Sequence, residues 1–383
     1  MRFIPRFSFL LLVLLYMFPV SLKAQGQLSD RAFVSLLTCG PGEELYSVFG
    51  HTALRVADPE TGMDVVFNYG MFDFNTPLFY LKFIKGDLKY FASAGSYQDF
   101  VYTYQYYNRD VFEQRLNLTQ AQKQQIIDEL AATLNSDKKY YTYRYFGRNC
   151  TTMVADVLNN SLNPKISQQN ADTGKTYRKI VCERLHNSFY ESLGINLIFG
   201  AKTDNVLGVP FLPEQLMQGV NHSKTATGQA LTPGTDTVYK STAAQRMSGW
   251  NNIYTFLAVC ILLIFISKNI VVRRSLYALL GLLGLFFCFV GLYSYHTEIT
   301  WNYNALLINP LLLLLLYFSF AKNQEAIKKT IIVIAVCILV YLVYMLNKPH
   351  LLMVLPIVVL VLSMLAREML PFVKQKFPSR RNA

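Results

Sequence analysis

Tyr145-Phe146-Gly147-Arg148-Asn149-Cys150-Thr151-Thr152 runs directly into Met153, Val154, Val157 and Leu158, which recur at helical spacing. The stretch predicts a helix that begins at Cys150, with Asn149 as its N-cap. A cysteine in that position feels the partial positive charge of the helix N-terminus, which favours the thiolate, the nucleophilic form of the side chain. Far upstream stands Val48-Phe49-Gly50-His51-Thr52-Ala53-Leu54-Arg55-Val56, which offers an imidazole as the thiol's partner.

The histidine stretch alternates apolar and polar positions, as does Met63 to Tyr69, and Asp58-Pro59-Glu60-Thr61-Gly62 between them is turn chemistry. A β-hairpin follows. With a symmetric turn, Val56 faces Met63 and the constant sum of paired positions puts His51 opposite Asn68. A one-residue slip would send the two to opposite faces. Thr119-Gln120-Ala121 through Asn135 reads as an amphipathic helix capped by Thr119, with Ile126, Ile127, Leu130 and Leu134 on its apolar face. The run Tyr102, Tyr104, Tyr106 and Tyr107 reads as alternation in a strand, with the wall of an acyl groove as the rival reading. Strands and helices mixed in this way predict an α+β domain.

In this constellation Cys150 is the nucleophile, His51 the general base and Asn68 the residue that orients the ring; Tyr69 or Asp73 are alternatives for the last role. Backbone N–H groups at the start of the Cys150 helix would stabilise the oxyanion of an acyl-transfer step. Taken singly, a cysteine in an apolar-periodic segment or a histidine on a strand is more often structural. Their joint placement is what carries the reading. Cys39, Cys150 and Cys182 lie in the same part of the chain, and a bridge between Cys39 and Cys182 would leave Cys150 free; connectivity stays open. His51, His186, His222, His296 and His350 show no metal-ligand spacing, so neither metal nor cofactor is expected.

The 383 residues are 52% hydrophobic with a mean hydropathy of +0.24, too apolar for a soluble protein and too charged for a bare membrane bundle. Arg2 and Arg6, the apolar run Phe7 to Phe18 and Leu22-Lys23-Ala24 form an export signal over 1–24, although the bulk of Leu22 leaves an uncleaved anchor open. Apolar runs at 252–267, 276–294, 305–321, 330–346 and 351–366 predict five spans. Lys268, Arg273, Arg274, Lys322, Lys328, Lys329, Arg367, Lys374, Lys376, Arg380 and Arg381 cluster in alternate loops, whereas Tyr295–Asn304 and 347–350 hold only Lys348. The positive-inside bias therefore places the domain before Trp250 outside. The net charge of +12 belongs largely to these flanks, which disfavours nucleic acid as a partner. Trp250, Tyr254, Trp301 and Tyr303 fall where interfacial aromatics belong, and His296 and Glu298 read as a solvated outer loop. Leu197–Leu216 reads either as a loop dipping into headgroups or as one packed on the domain. The organisation expected is a signal peptide at 1–24, an exported domain at 25–220, a polar linker at 221–250 and a five-helix membrane domain with a basic cytoplasmic tail at 251–383.

The succession from Cys39-Gly-Pro-Gly-Glu-Glu-Leu-Tyr-Ser-Val-Phe-Gly-His51 through Phe67-Asn68-Tyr69-Gly70-Met71-Phe72-Asp73-Phe74 to Arg148-Asn149-Cys150-Thr151-Thr152 resembles the exported domain of the Lnb family of bacterial lipoprotein N-acyltransferases. Asn149-Cys150 at a helix start also resembles the permuted papain-like, NlpC/P60-like enzymes, a likeness of fold alone. The first resemblance implies transfer of a fatty acyl chain from a phospholipid donor to the α-amino group of a diacylated lipoprotein acceptor, through a thioester on Cys150 with His51 as base. It implies a multi-pass protein of the bacterial inner membrane with its thiol acyltransferase domain in the periplasm. The alternatives are a membrane-tethered cysteine peptidase or amidase acting on cell-wall peptide, and a non-enzymatic binding or transport protein. Five spans favour lipid substrates, and the scarcity of charges within the spans argues against a solute pathway.

Overall fold

A computed structural model describes residues 26–44, 46–242 and 248–376, the stretch 371–376 by backbone alone. The expected export signal and the last seven residues of the basic tail, 377–383, lie outside the described residues. The alternating segments form a seven-stranded antiparallel sheet: β1 (Phe33–Cys39), β2 (His51–Asp58), β3 (Met63–Met71), β4 (Lys89–Ser96), β5 (Val111–Arg115), β6 (Tyr140–Thr142) and β7 (Asp236–Tyr239), in the order β6-β4-β3-β2-β1-β5-β7. Interspersed helices are α1 (Phe79–Lys85), α2 (Tyr97–Tyr106), α3 (Gln120–Leu134), α4 (Cys150–Ser161), α5 (Tyr177–Arg184), α6 (Phe189–Ile198) and α7 (Pro213–Asn221). The exported part is thus α+β.

Period-two alternation gives the sheet two apolar faces. On one, Ile126, Ile127 and Leu130 of α3 and Val154, Val157 and Leu158 of α4 pack on Leu36, Leu54, Val56 and Phe67. On the other, Phe100 and Tyr104 of α2 cover Leu37, Ala53, Val66 and Val111. Thr119 caps α3 with a reciprocal capping box, so the start of this helix lies where the sequence puts it.

Three expectations change. The tyrosine run is helix α2, not strand: Ser96 caps it by accepting from the Asp99 N–H, and Phe100 and Tyr104 face the sheet while Tyr102 and Tyr106 face out. Four-residue spacing from Phe100 to Tyr104 outweighs the alternation of the tyrosines. Residues 221–242 are not a free linker, since β7 pairs with β5 and Leu231 is buried. A short polar strand at a sheet edge has the same composition as a linker, which hid it. The hairpin register also differs, with Asp58 pairing Met63 and Ala53 pairing Asn68. The shift is by two positions, so it preserves the face: His51 and Asn68 become diagonal neighbours.

The membrane part consists of α8 (Ile253–Ile266), α9 (Ile270–Tyr293), α10 (Leu311–Ala321), α11 (Gln324–Met345) and α12 (Leu351–Lys376). Four stretches are long and apolar enough to cross a bilayer: Ile270–Tyr293, Thr297–Ala321, Gln324–Met345 and Leu351–Leu370. The second of these is composite, with 3-10 turns at Thr297–Ile299 and Tyr303–Leu306 before α10. Of the five spans expected, the first is the exception. Helix α8 has 14 residues; at 1.5 Å each it measures about 21 Å, short of the roughly 30 Å of hydrocarbon.

The exported domain meets the end of this bundle whose loops the basic clusters avoid, apart from Lys348, and it touches helices there as well as loops, since the Phe189 ring lies 5.4 Å from that of Phe256 on α8. Arg178 on α5 is fully buried and donates to Asp204 at 2.8 Å and to the carbonyls of Asn196, Phe199 and Gly200. Asp204 also accepts from the Tyr303 hydroxyl at 3.0 Å and pairs with Lys348 at 3.4 Å. Leu197–Leu216 is packed, not dipped: Phe199, Phe211 and Leu212 share a core with Val290 and Ile299 of the bundle. Glu298, expected in solvent, is only 5% exposed there. The two backbones come close where the Gly200 N–H donates to the Glu298 carbonyl at 2.8 Å; a Cβ on Gly200 would stand 1.7 Å from the Thr300 oxygen. Gly200→Ala is therefore expected to destabilise the detergent-solubilised protein by about 2 kcal/mol through forced separation. It should also raise amide exchange at residues 198–205. Gly194→Ala, inside α6 with nothing within 4 Å of its added methyl, is the control and should, if anything, raise stability by helix propensity without raising exchange at 198–205; equal behaviour of the two would contradict this account of the seam.

Candidate active site

His51 opens β2 and Cys150 opens α4, so the imidazole and the thiol meet at one end of the sheet. The ring Nε2 lies 3.1 Å from Asn68 Oδ1, which leaves Nδ1 for the thiol. That distance fixes the ring orientation and, with Nε2 protonated, the tautomer. Of the alternatives for the third position, Tyr69 alternates to the opposite face and is buried near Tyr141, while the Asp73 carboxylate accepts from the Asn75 N–H in a turn. The structure brings His51, Asn68 and Cys150 together and leaves Tyr69 and Asp73 apart.

Several small groups hold this geometry. Asn149 is 4% exposed; its Oδ1 accepts from the Thr152 N–H at 2.9 Å, the Thr152 hydroxyl accepts from the Asn149 N–H at 2.9 Å, and its Nδ2 donates to the Tyr145 and Phe211 carbonyls at 2.8 Å each. The start of α4 is thereby fixed from both sides. Thr151 Oγ1 and Thr52 Oγ1, both buried, lie 3.1 Å apart and staple α4 to β2 next to His51 and Cys150. In β3 the register breaks between Asn68 and Met71, and Gly70 takes a φ of 89° within this bulge. A Cβ at Gly70 would stand 3.6 Å from the Cys150 Cβ, so the bulge sits directly against the thiol. The motif threonines and Gly70 were visible in the sequence, but nothing in their spacing signalled these roles.

Burial alone would raise the Cys150 thiol, yet the His51 charge and hydrogen bond, the Thr52 backbone and the Thr151 hydroxyl outweigh it and bring the thiol below its ordinary range. Cys39, paired with His51 across the β1–β2 ladder, goes the other way because burial pushes its thiol up. Cys182 is held by the Asn196 amide at 3.2 Å. All three are free thiols, so the open pairing of Cys39 with Cys182 is not made: Cys39 lies in the core under α2, and Cys182 lies on α5. Among the described residues no group of three or more His, Cys, Asp or Glu side chains converges as a metal site would.

The site rests on the membrane bundle. Phe49, before His51, and Tyr145 and Phe146, before Cys150, pack in the core that contains Val290 and Ile299. The Phe146 N–H donates to Glu298 Oε1 at 3.3 Å, across 152 residues.

Alkylation of Cys150 by iodoacetamide, followed against pH by peptide mass spectrometry, is expected to have its midpoint below the usual thiol range. In His51→Ala the midpoint should move above that range, since burial then acts with little opposition. A midpoint unmoved by the substitution would contradict the pairing.

Residues 21–182 match the Lnb N-terminal periplasmic domain, a segment that contains His51, Asn68 and Cys150. Neither the curated proteins nor the solved structures gave a match. The four apolar helices behind the matched segment make this a membrane protein with a periplasmic domain. On this match, residues 21–182 belong to the Lnb N-terminal periplasmic domain family.

Proposed function

We propose that the protein is a lipoprotein N-acyltransferase that moves a fatty acyl chain from a phospholipid to the α-amino group of a diacylglyceryl-cysteine lipoprotein. The observation that carries this reading is a thiol at a helix N-terminus beside an oriented imidazole, set on the outer end of a membrane bundle. In the first half-reaction the Cys150 thiolate attacks the ester carbonyl of the phospholipid; the C–S bond forms, the ester C–O bond breaks, and the glycerol alkoxide takes the proton held by His51. In the second, the acceptor amine attacks the thioester and gives a proton to His51, the C–N bond forms, and the C–S bond breaks to return the thiolate. With the Thr152 N–H taken by the Asn149 cap, the Cys150 and Thr151 N–H groups at the start of α4 supply the oxyanion site in both steps. Asn68 acts through the ring that it orients. No cofactor is required. The order histidine, asparagine, cysteine on two strands and a following helix supports reading the domain as a permuted papain-like thiol fold.

Phospholipid and lipoprotein are both confined to the membrane, which supports a role for the bundle beyond anchoring: the loops before His51 and Cys150 pack against its outer end. A cell-wall peptidase needs no such floor. The inner membrane follows as the location, since lipoproteins acquire their lipid before leaving it.

The full chain in phospholipid nanodiscs, supplied with a synthetic diacylglyceryl-cysteine peptide, is expected to add one fatty acyl group to the peptide amine. Cys150→Ala should abolish the product and His51→Ala lower its rate about a thousandfold. Undiminished product from Cys150→Ala would overturn the proposal.

A further inference from the structure

Among the described residues 26–242, every exposed leucine, phenylalanine and methionine falls between Met71 and Phe83: Met71, Phe74, Leu78, Leu81 and Phe83, with Tyr80 at 74% exposure beside them. None of the residues of α1 is buried. Apolar side chains gathered in this way on one aqueous domain mark a surface that is covered in use. Its place in the fold says by what. Helix α1 is hydrogen-bonded to the outer end of α9, where Ser294 Oγ donates to the Ile84 carbonyl at 2.7 Å, the Tyr295 N–H to the Lys85 carbonyl at 2.7 Å, and His296 Nε2 lies 2.9 Å from the Phe83 carbonyl. The same end of α9 exposes Leu292 and Tyr293, and the Lys85 ammonium lies over the Tyr293 and Tyr295 rings. The exposed segment is thus continuous with the lipid-facing surface at the level where aromatic and basic residues meet headgroups.

The segment also leads to the thiol. Phe74 packs on Phe79 and on Phe72, with ring centroids 5.0 and 4.9 Å apart, Phe72 on Tyr90 at 5.3 Å, and Tyr90 stacks on Tyr143 at 4.5 Å. Tyr143 lies next to Cys150; burial first, and the thiolate charge second, push its phenol up.

We infer that residues 71–83 insert into the outer leaflet as an interfacial element, and that the aromatic wall from Phe74 to Tyr143 guides a lipid acyl chain from the bilayer to Cys150. Outer-leaflet lipid is the occupant because the patch hangs from a membrane helix at its exit. Insertion stands independently of the chemistry, whereas delivery of a donor chain rests on the acyl-transfer reading. Lys82 and Lys85 lie in the last turn of the same short helix, basic residues of the kind that meet lipid phosphates at an interface, although Lys85 also pairs with Asp87 at 2.6 Å.

The test uses the full chain carrying Trp250→Phe and Trp301→Phe, with either Leu81→Trp or Tyr102→Trp added, in phosphatidylethanolamine and phosphatidylglycerol vesicles whose acyl chains are plain or brominated. Brominated chains are expected to quench Leu81→Trp by about half and to leave Tyr102→Trp, on the exposed face of α2, unquenched. Equal emission of Leu81→Trp in both lipids would overturn the inference. In parallel, the double variant Leu81→Asp, Phe83→Asp is expected to lower transfer from vesicle phospholipid to the lipopeptide about tenfold while iodoacetamide alkylation of Cys150 keeps its rate. Transfer that persists in this variant overturns delivery of the donor chain through the inserted segment and leaves the acyltransferase standing. Transfer absent from the unsubstituted chain, with Leu81→Trp still quenched, overturns the acyltransferase and supports insertion alone.

Discussion

A buried thiol falls below its ordinary range only if something offsets its loss of solvation, and here that is chiefly the imidazole at the start of β2. The rest of the exported domain can be read as what keeps the two in place. Asn149 and Thr152 fix where α4 begins, the buried Thr52–Thr151 pair ties that point to β2, and Asn68 holds the ring from the neighbouring strand. The bulge at Gly70 sits against the thiol, where a larger side chain would compete for the same space. Small hydroxyls and amides do this work because they satisfy buried polar atoms without filling the space that a substrate carbonyl needs.

The second constraint is the seam between domain and bundle. Arg178 is buried with an aspartate and four carbonyl or amide oxygens as partners, so its charge is matched and its donors are used. Around it, Phe199, Phe211, Val290 and Ile299 form one apolar core with the residues that precede His51 and Cys150. The chemistry of the site is therefore not hung from a flexible stalk. It is fixed to the end of the bundle, beside the one part of the domain that, among the described residues, exposes leucine and phenylalanine.

Much of this was legible before any coordinates. The α4 start, its Asn149 cap and the Thr119 cap are local, set by side chains that bond to their own backbone within four residues, and sequence pattern reports them well. The hairpin was legible in kind but not in register, because turn residues Pro59–Gly62 close the loop two positions away from the symmetric guess; the His51–Asn68 proximity survived since a shift of two keeps the face. The tyrosine helix and β7 were missed because a half-buried helix rich in tyrosine imitates strand alternation, and a polar edge strand imitates a linker. Glu298 was missed for a different reason: its burial depends on a partner segment 152 residues away, and no local signal reports it. The length of α8 similarly depends on where the packed turn Ser267–Asn269 ends it, not on hydropathy alone.

The account stands on Cys150 as the atom that carries the acyl group. Intact-mass spectrometry of the full chain incubated with phospholipid but no acceptor measures this directly: the account predicts a single added fatty acyl group, localised to Cys150, removed by hydroxylamine and missing in His51→Ala. An acyl group found on another residue, or a thiol that stays unmodified while lipopeptide acylation proceeds normally, would contradict it.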